Sequence, residues 1–380
     1  MIRKLKNIFH LLEAIFWNVY YGFPSNKLTV IGVTGTEGKT TTVNLIHHIS
    51  TTAGIKTGIL STLSSAHMTT PGRKEIQKFL FQCVKNKCTH VILEVSSHAI
   101  DQNRIWGMPF QIGVLTNITG NEHLDYHKNF ENYQETKIKF LESCQTLILN
   151  SDDPSINMLV KRSRHKYVNY SLKDWNKYNY ENKLPGDFNR YNILAAAAVV
   201  RQLGISEEII KKAVLSFELP PGRFEIVVKK PVMVIVDFGH TPQSFEKILP
   251  LARTYLKDES SKLFHVFGAT GDRFTGKRPI MAKVSAKFSN MIILTHEDTY
   301  SEDLKSIVDQ VETGIPKGFN YLKIYDRKEA IKKALELAKP GDVVIITGVG
   351  HQKSLNIAGR EVPWSDQETV KKLMKNLSES

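Results

Sequence analysis

The sequence has little cysteine, little tryptophan and no clean apolar run at its start, and each shortage removes a class of protein. Cys83, Cys88 and Cys144 are an odd number without C-x-x-C spacing. That excludes a disulfide scaffold or a zinc site of that spacing and points to a reducing, cytoplasmic compartment. The opening stretch MIRKLKNIFHLLEAIFWNVYYGF is interrupted by Glu13 and Asn18 and has no small-residue cleavage site. It is too short an apolar run for a membrane span and wrongly built for a signal peptide. No G-x-S-x-G elbow is present, so Ser96 and His98 do not mark a common hydrolase nucleophile. Acidic residues are also few, 38 against 51 Lys and Arg, for a formal charge of +13. Such a balance suits anionic ligands such as nucleotides. The excess is scattered lysine, without an arginine–aromatic tract, and no nucleic-acid partner is expected.

What the chain does contain is organised around residues 28–42, LTVIGVTGTEGKTTT. A β-branched run (Leu28, Val30, Ile31, Val33) leads into a glycine loop and then into helical spacing at Val43, Leu45, Ile46 and Ile49, the setting a phosphate-binding loop requires. Val33 stands where the common G-x4-GK[ST] loop has glycine, so GTxGKTT is the core of a variant loop. Its glycines let backbone N–H groups face one anion, and the helix start adds partial positive charge. Lys39 reaches toward outer phosphates, and the Thr40 hydroxyl suits Mg²⁺.

Strand, loop and helix then alternate. Val91–Leu93 and the runs at 112–118 and 146–150 read as buried parallel strands, with Glu94 at the carboxyl end of the first, where open α/β sheets bind ligands. Residues 165–187 are tyrosine-rich and aperiodic and are expected to be a connector. Pro220-Pro221-Gly222-Arg223 is the best boundary. Beyond it, VMVIVDFGHTP, KLFHVFGATGDR, NMIILTHEDT and DVVIITGVGH restart the alternation. The expected fold class is α/β: a central P-loop parallel-sheet ATPase domain at 28–220, a C-terminal Rossmann-like α/β domain at 221–380, and an N-terminal amphipathic extension at 1–27. As a helix, the extension puts Ile8, Leu11, Leu12, Ile15, Phe16 and Tyr20 on one stripe. That stripe is expected to pack on the following domain, with peripheral contact to an anionic membrane as the alternative.

Taken in order, GVTGTEGKTT, TTP, EVSSHAIDQNRI, TNITGNEHLDYH, ENYQETK, NSDDP, GDFNRYN, PGRFE, VDFGHTP, FGATGDRFTGKRP and DRKEAI resemble the Mur ligase family, in particular its MurE-like branch, UDP-N-acetylmuramoyl-tripeptide synthetase. The resemblance implies ATP- and Mg²⁺-dependent amide ligation through an acyl-phosphate. The acceptor would be UDP-N-acetylmuramoyl-L-alanyl-D-glutamate, a peptidoglycan precursor, and the enzyme a monomer. By resemblance, Thr36, Gly38, Lys39, Thr40 and Thr41 bind the triphosphate, and Asn192, Arg223 and Asp237 complete the ATP site when the domains close. Thr40 and Glu94 would hold one Mg²⁺ and His123 a second. Lys137 matches the lysine that this family carbamylates; a carbamate offers hard oxygens to magnesium where an ammonium would repel it. Lys39, Glu94, His123 and Lys137 are the catalytic set. Thr69, Thr70, Ser96, Gln102 and Arg104 would read the carboxylate-bearing peptide.

The chain departs from that pattern in ways that bear on its substrates. The family carries an amino-terminal uridine-binding domain before the loop, whereas here the loop strand begins at Leu28, so uracil recognition is expected to be reduced or supplied elsewhere. The family's DNPR, whose arginine reads the distal carboxylate of diaminopimelate, becomes Glu297-Asp298-Thr299-Tyr300. Its GKGHE becomes Gly348-Val349-Gly350-His351-Gln352. Asp298, Tyr300, Gly348 and Gln352 would still face the incoming amine, but an arginine and a glutamate are gone, and a different amine is expected. One residue is inserted in TNITGNEHLDYH, next to His123. Two competing readings are a folylpolyglutamate or poly-γ-glutamate synthetase, which also lack the uridine domain, and a non-catalytic nucleotide-binding module, for which Lys137 would be superfluous.

Overall fold

The run TVIGVT becomes β1 (Thr29–Thr34) because its β-branched side chains fill both faces of a buried sheet; five of its six residues are inaccessible to solvent. The structure, a computed structural model, describes residues 2–64, 68–120, 123–162 and 165–379. Asn121 and Glu122 of the NEHLDYH stretch lie outside the described residues. Contacts divide the chain into two units: residues up to Gly120 with Tyr126–Glu218, and Leu219 onward with the short stretch ending at Asp125.

In the first unit β1 is joined by β2 (Thr57–Leu60), β3 (His90–Glu94), β4 (Phe110–Leu115), β5 (Thr146–Asn150) and β6 (Lys166–Tyr170), in the order β2-β3-β1-β4-β5-β6. Every pairing is parallel. The chain leaves β1 toward one edge and later returns to pair β4 on its other side. The carboxyl end of β1 is therefore the topological switch point where such sheets open a ligand crevice. The expected connector contains a strand after all: β6 pairs with β5 as an edge strand. Its residues are mostly exposed, so the alternation that identifies a half-buried strand is missing from KYVNY.

Helix α2 (Lys39–Thr52) runs off the phosphate loop and packs on the alanine-rich helix Asp187–Gln202. Ala195–Ala198 are all buried there, and their small side chains let the two backbones approach. On the other face, α3 (Arg73–Lys85) covers β2 and β3 with Ile76, Leu80 and Cys83.

The amino-terminal segment is helix α1 (Ile2–Tyr21), and it docks on α3. The docked face is not the expected stripe. Ala14 and Asn18 are buried, and the Asn18 amide donates to Ala14 O (2.9 Å) and Trp106 O (3.1 Å). Arg73 donates to Glu13 at 2.9 Å. Ile8, Leu12, Phe16 and Tyr20 point outward. Polar anchors, invisible to a hydrophobic pattern, chose the face. No helix among the described residues is long and apolar enough to cross a membrane.

The second unit has its own six-stranded sheet, made by β7 (Glu225–Val228), β8 (Met233–Asp237), β9 (Leu263–Phe267), β10 (Met291–Leu294), β11 (Tyr321–Lys323) and β12 (Val343–Thr347), in the order β11-β10-β9-β12-β8-β7. All pairs are parallel except β7 with β8. A hairpin, β13 (Ser354–Ile357) with β14 (Arg360–Pro363), stands apart. Helices on both faces seal two apolar layers around β9 and β12.

Candidate active site

At the end of β1 the chain turns through Gly35 (φ 153°) and Gly38 (φ 80°). A side chain at Gly35 would overlap Thr116 Oγ1, and one at Gly38 would overlap Asn192 Oδ1. Backbone therefore lies directly against its neighbours and forms a cradle that only glycine permits. The loop is braced from the adjacent strand end: Thr36 N donates to Asn117 O (2.8 Å), Glu37 N to Asn117 Oδ1 (3.0 Å), and Thr116 Oγ1 donates to Glu37 O (2.6 Å). Thr36 Oγ1 also meets the Tyr133 hydroxyl at 3.0 Å. Thr40 and Thr41 are buried in the first turn of α2. A braced loop with a helix start behind it is the geometry that binds phosphate.

Two cations converge on this loop. Lys39 Nζ donates to Gly35 O (2.9 Å) and Thr36 O (2.6 Å). Lys137, on the helix Phe130–Glu142, donates to the same Gly35 O at 2.8 Å and lies 4.7 Å from the centroid of the Tyr133 ring. Lys137 is only 1% exposed, so it is not a solvated lysine on the helix surface. Glu94, also 1% exposed, ends the neighbouring β3. Its oxygens accept from Thr62 N (3.0 Å) and Thr62 Oγ1 (2.8 Å), which leaves acceptor capacity on a carboxylate that has about four lone-pair sites. No cluster of three or more His, Cys, Asp or Glu among the described residues could hold a metal alone. The donor set, one hydroxyl and one carboxylate beside a phosphate cradle, fits magnesium bound with nucleotide rather than in an all-protein cage.

The expected peptide-reading residues form one hydrogen-bonded cluster. Thr70 Oγ1 donates to Glu94 O (2.8 Å) and stands 3.1 Å from Ser96 Oγ. Arg104 donates to Gln102 Oε1 (2.7 and 3.1 Å) and to Thr70 O (2.5 Å). Burial lowers the Arg104 pKa, with Arg73 adding to the effect, yet an arginine stays charged at any physiological pH. Thr69 precedes this cluster, half-buried. Asn192 sits under the loop, accepting from Thr42 Oγ1 (3.3 Å) and donating to Asn189 Oδ1 (3.1 Å). His123 (φ 55°) is not grouped with this constellation; it falls in the short stretch assigned to the second unit.

In the second unit Arg223 lies 4.6 Å over the Phe238 ring. Asp237 accepts from Phe224 N (2.7 Å) and Gly239 N (2.6 Å), so it holds a turn together whatever else it touches. Asp298, Tyr300, Gly348 and Gln352 are brought together. The Tyr300 hydroxyl and Gln352 Nε2 point at Asp298 Oδ2 from 3.5 and 3.4 Å, and Asn356 N donates to Oδ1 at 2.8 Å. Burial and Asp298 push the Tyr300 phenol up to about 12, so it stays a neutral donor. Gly348 lies against the buried Glu297 carboxylate, whose pKa burial raises.

Reading the sequence missed several members. Thr62, which holds Glu94, lies in no motif, and Tyr133, beside Lys137, lies inside ENYQETK, of which only the lysine was singled out. Arg273, inside GATGDRFTGKRP, stacks 5.2 Å over Tyr300; the motif was visible and its arginine passed over. Tyr126, in HLDYH, donates to Asp101 Oδ2 at 2.6 Å and packs on His98.

A phosphate cradle on a doubly wound sheet, with two lysines and a carboxylate at the strand ends, defines a nucleotide-using enzyme. Models of the Mur ligase middle domain and of the Mur ligase glutamate ligase domain match residues 33–180 and 222–350. The chain belongs to the Mur ligase family, and is an ATP-dependent, ADP-forming amide ligase. It is 33% identical to the UDP-N-acetylmuramoyl-L-alanyl-D-glutamate–2,6-diaminopimelate ligase of Clostridium botulinum, over 96% of this chain and 81% of that protein. A solved ligase of the same name has 28% identity and a TM-score of 0.59, over 93% of this chain and 79% of that one. A folylpolyglutamate synthase from Mycobacterium tuberculosis has a TM-score of 0.72 over 89% of this chain and 91% of that one; its 14% identity speaks for a shared fold alone.

Proposed function

We propose that the chain joins an amino acid to the D-glutamate carboxylate of UDP-N-acetylmuramoyl-L-alanyl-D-glutamate, using ATP and Mg²⁺. The observation that carries the reading is the convergence of Lys39 and Lys137 on Gly35 O beside Glu94. Lys39, half-buried, suits a site where anions gather, and the buried ammonium of Lys137 on the same carbonyl would be relieved of its desolvated charge by becoming a carbamate. Lys39 neutralises the outer phosphates while the loop backbone and α2 hold their oxygens. Thr40 and Glu94 would hold Mg²⁺, which when bound offsets β- and γ-phosphate charge. Thr70, Ser96, Gln102 and Arg104 fix the peptide so that one carboxylate oxygen attacks the γ-phosphorus and ADP leaves. The amine nitrogen then attacks the acyl carbon and phosphate departs. Lys137 acts as its carbamate, turning a repelling ammonium into an oxygen donor, and His123 is the candidate for a second ion. Asn192, Arg223 and Asp237 serve the nucleotide.

The acceptor half of this reading is supported by the peptide cluster in the first unit. The amine half is set by the second unit, and there the residues differ. Tyr300 and Gln352 replace the two charged readers of diaminopimelate, while Asp298 offers a carboxylate for an ammonium and Arg273 a guanidinium for a carboxylate. The incoming amine is therefore a zwitterionic amino acid other than diaminopimelate. The test is phosphate release with ATP, Mg²⁺ and the muramoyl dipeptide across an amino-acid panel including lysine, ornithine, diaminopimelate and neutral residues. Amino-acid-dependent release with one of them is expected. No dependence on any amino acid defeats the reading.

A further inference from the structure

The outward face of α1 has no part in the chemistry above, and none of the described residues of the first unit covers it. Ile8, Phe9, Leu12, Phe16, Val19 and Tyr20 are 56–66% exposed, whereas no other large apolar side chain among the described residues exceeds 45%. At about 100° per residue these six fall within an arc of roughly 120°. The stripe is therefore continuous, not a scatter of surface residues. The opposite side of the same helix is held by Ala14 and Asn18, and the Glu13–Arg73 pair ties down one edge. The stripe is displayed by a helix already folded and anchored, so presenting it costs no ordering entropy.

Charge selects what it meets. Arg3, Lys4 and Lys6 open the helix, and Glu13 is its only acidic residue. That carboxylate is paired with a cation, 2.9 Å from Arg73. Tyr20, at the edge of the stripe, is in ring contact with Trp17 beyond it, both residue types that sit at the level of lipid headgroups. The helix is convex, aromatic-edged and basic at one end, and too polar to cross a bilayer.

We propose that this face seats α1 flat on an anionic bilayer surface, with the apolar stripe in the headgroup–acyl boundary and the basic end on acidic headgroups. The first unit is thereby held next to a membrane. The proposal stands on α1 alone and does not depend on which amide the enzyme makes.

The full chain is tested by flotation with phosphatidylcholine vesicles and with vesicles containing about a third phosphatidylglycerol. At least tenfold stronger association with the anionic vesicles is expected, falling steeply with added salt. Leu12→Ser with Phe16→Ser, both exposed positions, is expected to lose that association while circular dichroism and solution turnover stay unchanged. A second pair, Lys4→Glu with Lys6→Glu, keeps the stripe and is expected to lose the preference for anionic lipid. Equal flotation of wild type and both double variants overturns the proposal. So does a concentration-dependent dimer that the Leu12/Phe16 variant dissociates, since a second copy would then be the occupant.

Discussion

Lys137 carries more of the functional reading than any other side chain, because a buried lysine on the phosphate loop needs a chemical reason. Its 2.8 Å bond to Gly35 O does not supply one, since any surface lysine makes such a bond without being desolvated. Replacing Lys137 by alanine is expected to lower amide formation by about 10³-fold, the scale of losing a group that acts on the reacting charges. Bicarbonate together with a small carboxylic acid is expected to restore part of it, by supplying the missing oxygens. Turnover indistinguishable from wild type would remove Lys137 from the mechanism. At positions 300 and 352 the question is selectivity. Restoring the family's charges by Tyr300→Arg with Gln352→Glu is expected to raise kcat/KM for diaminopimelate by tenfold or more, about 1.4 kcal/mol of discrimination. Relative rates across the amino-acid panel decide it; an unchanged ranking would mean that neither residue faces the amine.

Among elements, the second unit's sheet is held by polar groups at its centre as well as by its apolar faces. Arg327 is fully buried at the start of its helix and forms a bidentate pair with Asp366 (2.8 and 2.7 Å), with further bonds to His296 O and Thr347 O. The pair ties the last helix, Asp366–Glu379, to the ends of β10 and β12. Asp366→Ala leaves the guanidinium buried without its counter-ion and is expected to cost about 3–5 kcal/mol in urea unfolding. A loss below about 1 kcal/mol would show that the cation finds another partner. His265 on β9 bonds Ser285 Oγ (2.8 Å) and Thr347 Oγ1 (3.0 Å) through its two nitrogens. Burial, helped by Arg327, lowers its pKa from 6.5 to about 3. The folded value lies below the unfolded one, so the stability of the neutral ring is fully present above pH 6.5 and is lost as pH falls toward 3. Between pH 6.5 and 5 this amounts to about 2 kcal/mol. His265→Gln is expected to flatten the pH dependence of unfolding in that window; an equal slope in variant and wild type would refute the assignment.

At the scale of the molecule, each unit has its own sheet and its own apolar core, and the phosphate loop belongs to the first unit. Nucleotide that binds only the folded form must therefore stabilise the chain by mass action. At a hundredfold excess over Kd, ATP with Mg²⁺ is expected to add about 2.7 kcal/mol, read as a rise in Tm. Chelating the metal should remove most of the rise, and Lys39→Ala should remove it in either case. A shift that persists in Lys39→Ala would place the nucleotide elsewhere.

Much of this was legible in one dimension. The phosphate loop, the strand ending in Glu94 and the alternation that makes two α/β units are local patterns, because a buried parallel strand must be apolar on both faces and a glycine cradle must be glycine. The residues expected to read the peptide came only from the resemblance to the family's motifs; that Thr70, Ser96, Gln102 and Arg104 hydrogen-bond in one cluster is a fact of the folded sheet. Tertiary packing decided the rest. An edge strand such as β6 buries too little to impose a pattern. The docked face of α1 was chosen by Asn18 and the Glu13–Arg73 pair, whose partners lie up to 88 residues away along the chain. The meeting of Lys39 and Lys137 on one carbonyl, from helices nearly a hundred residues apart, exists only once the sheet has brought the two helices to the same strand end.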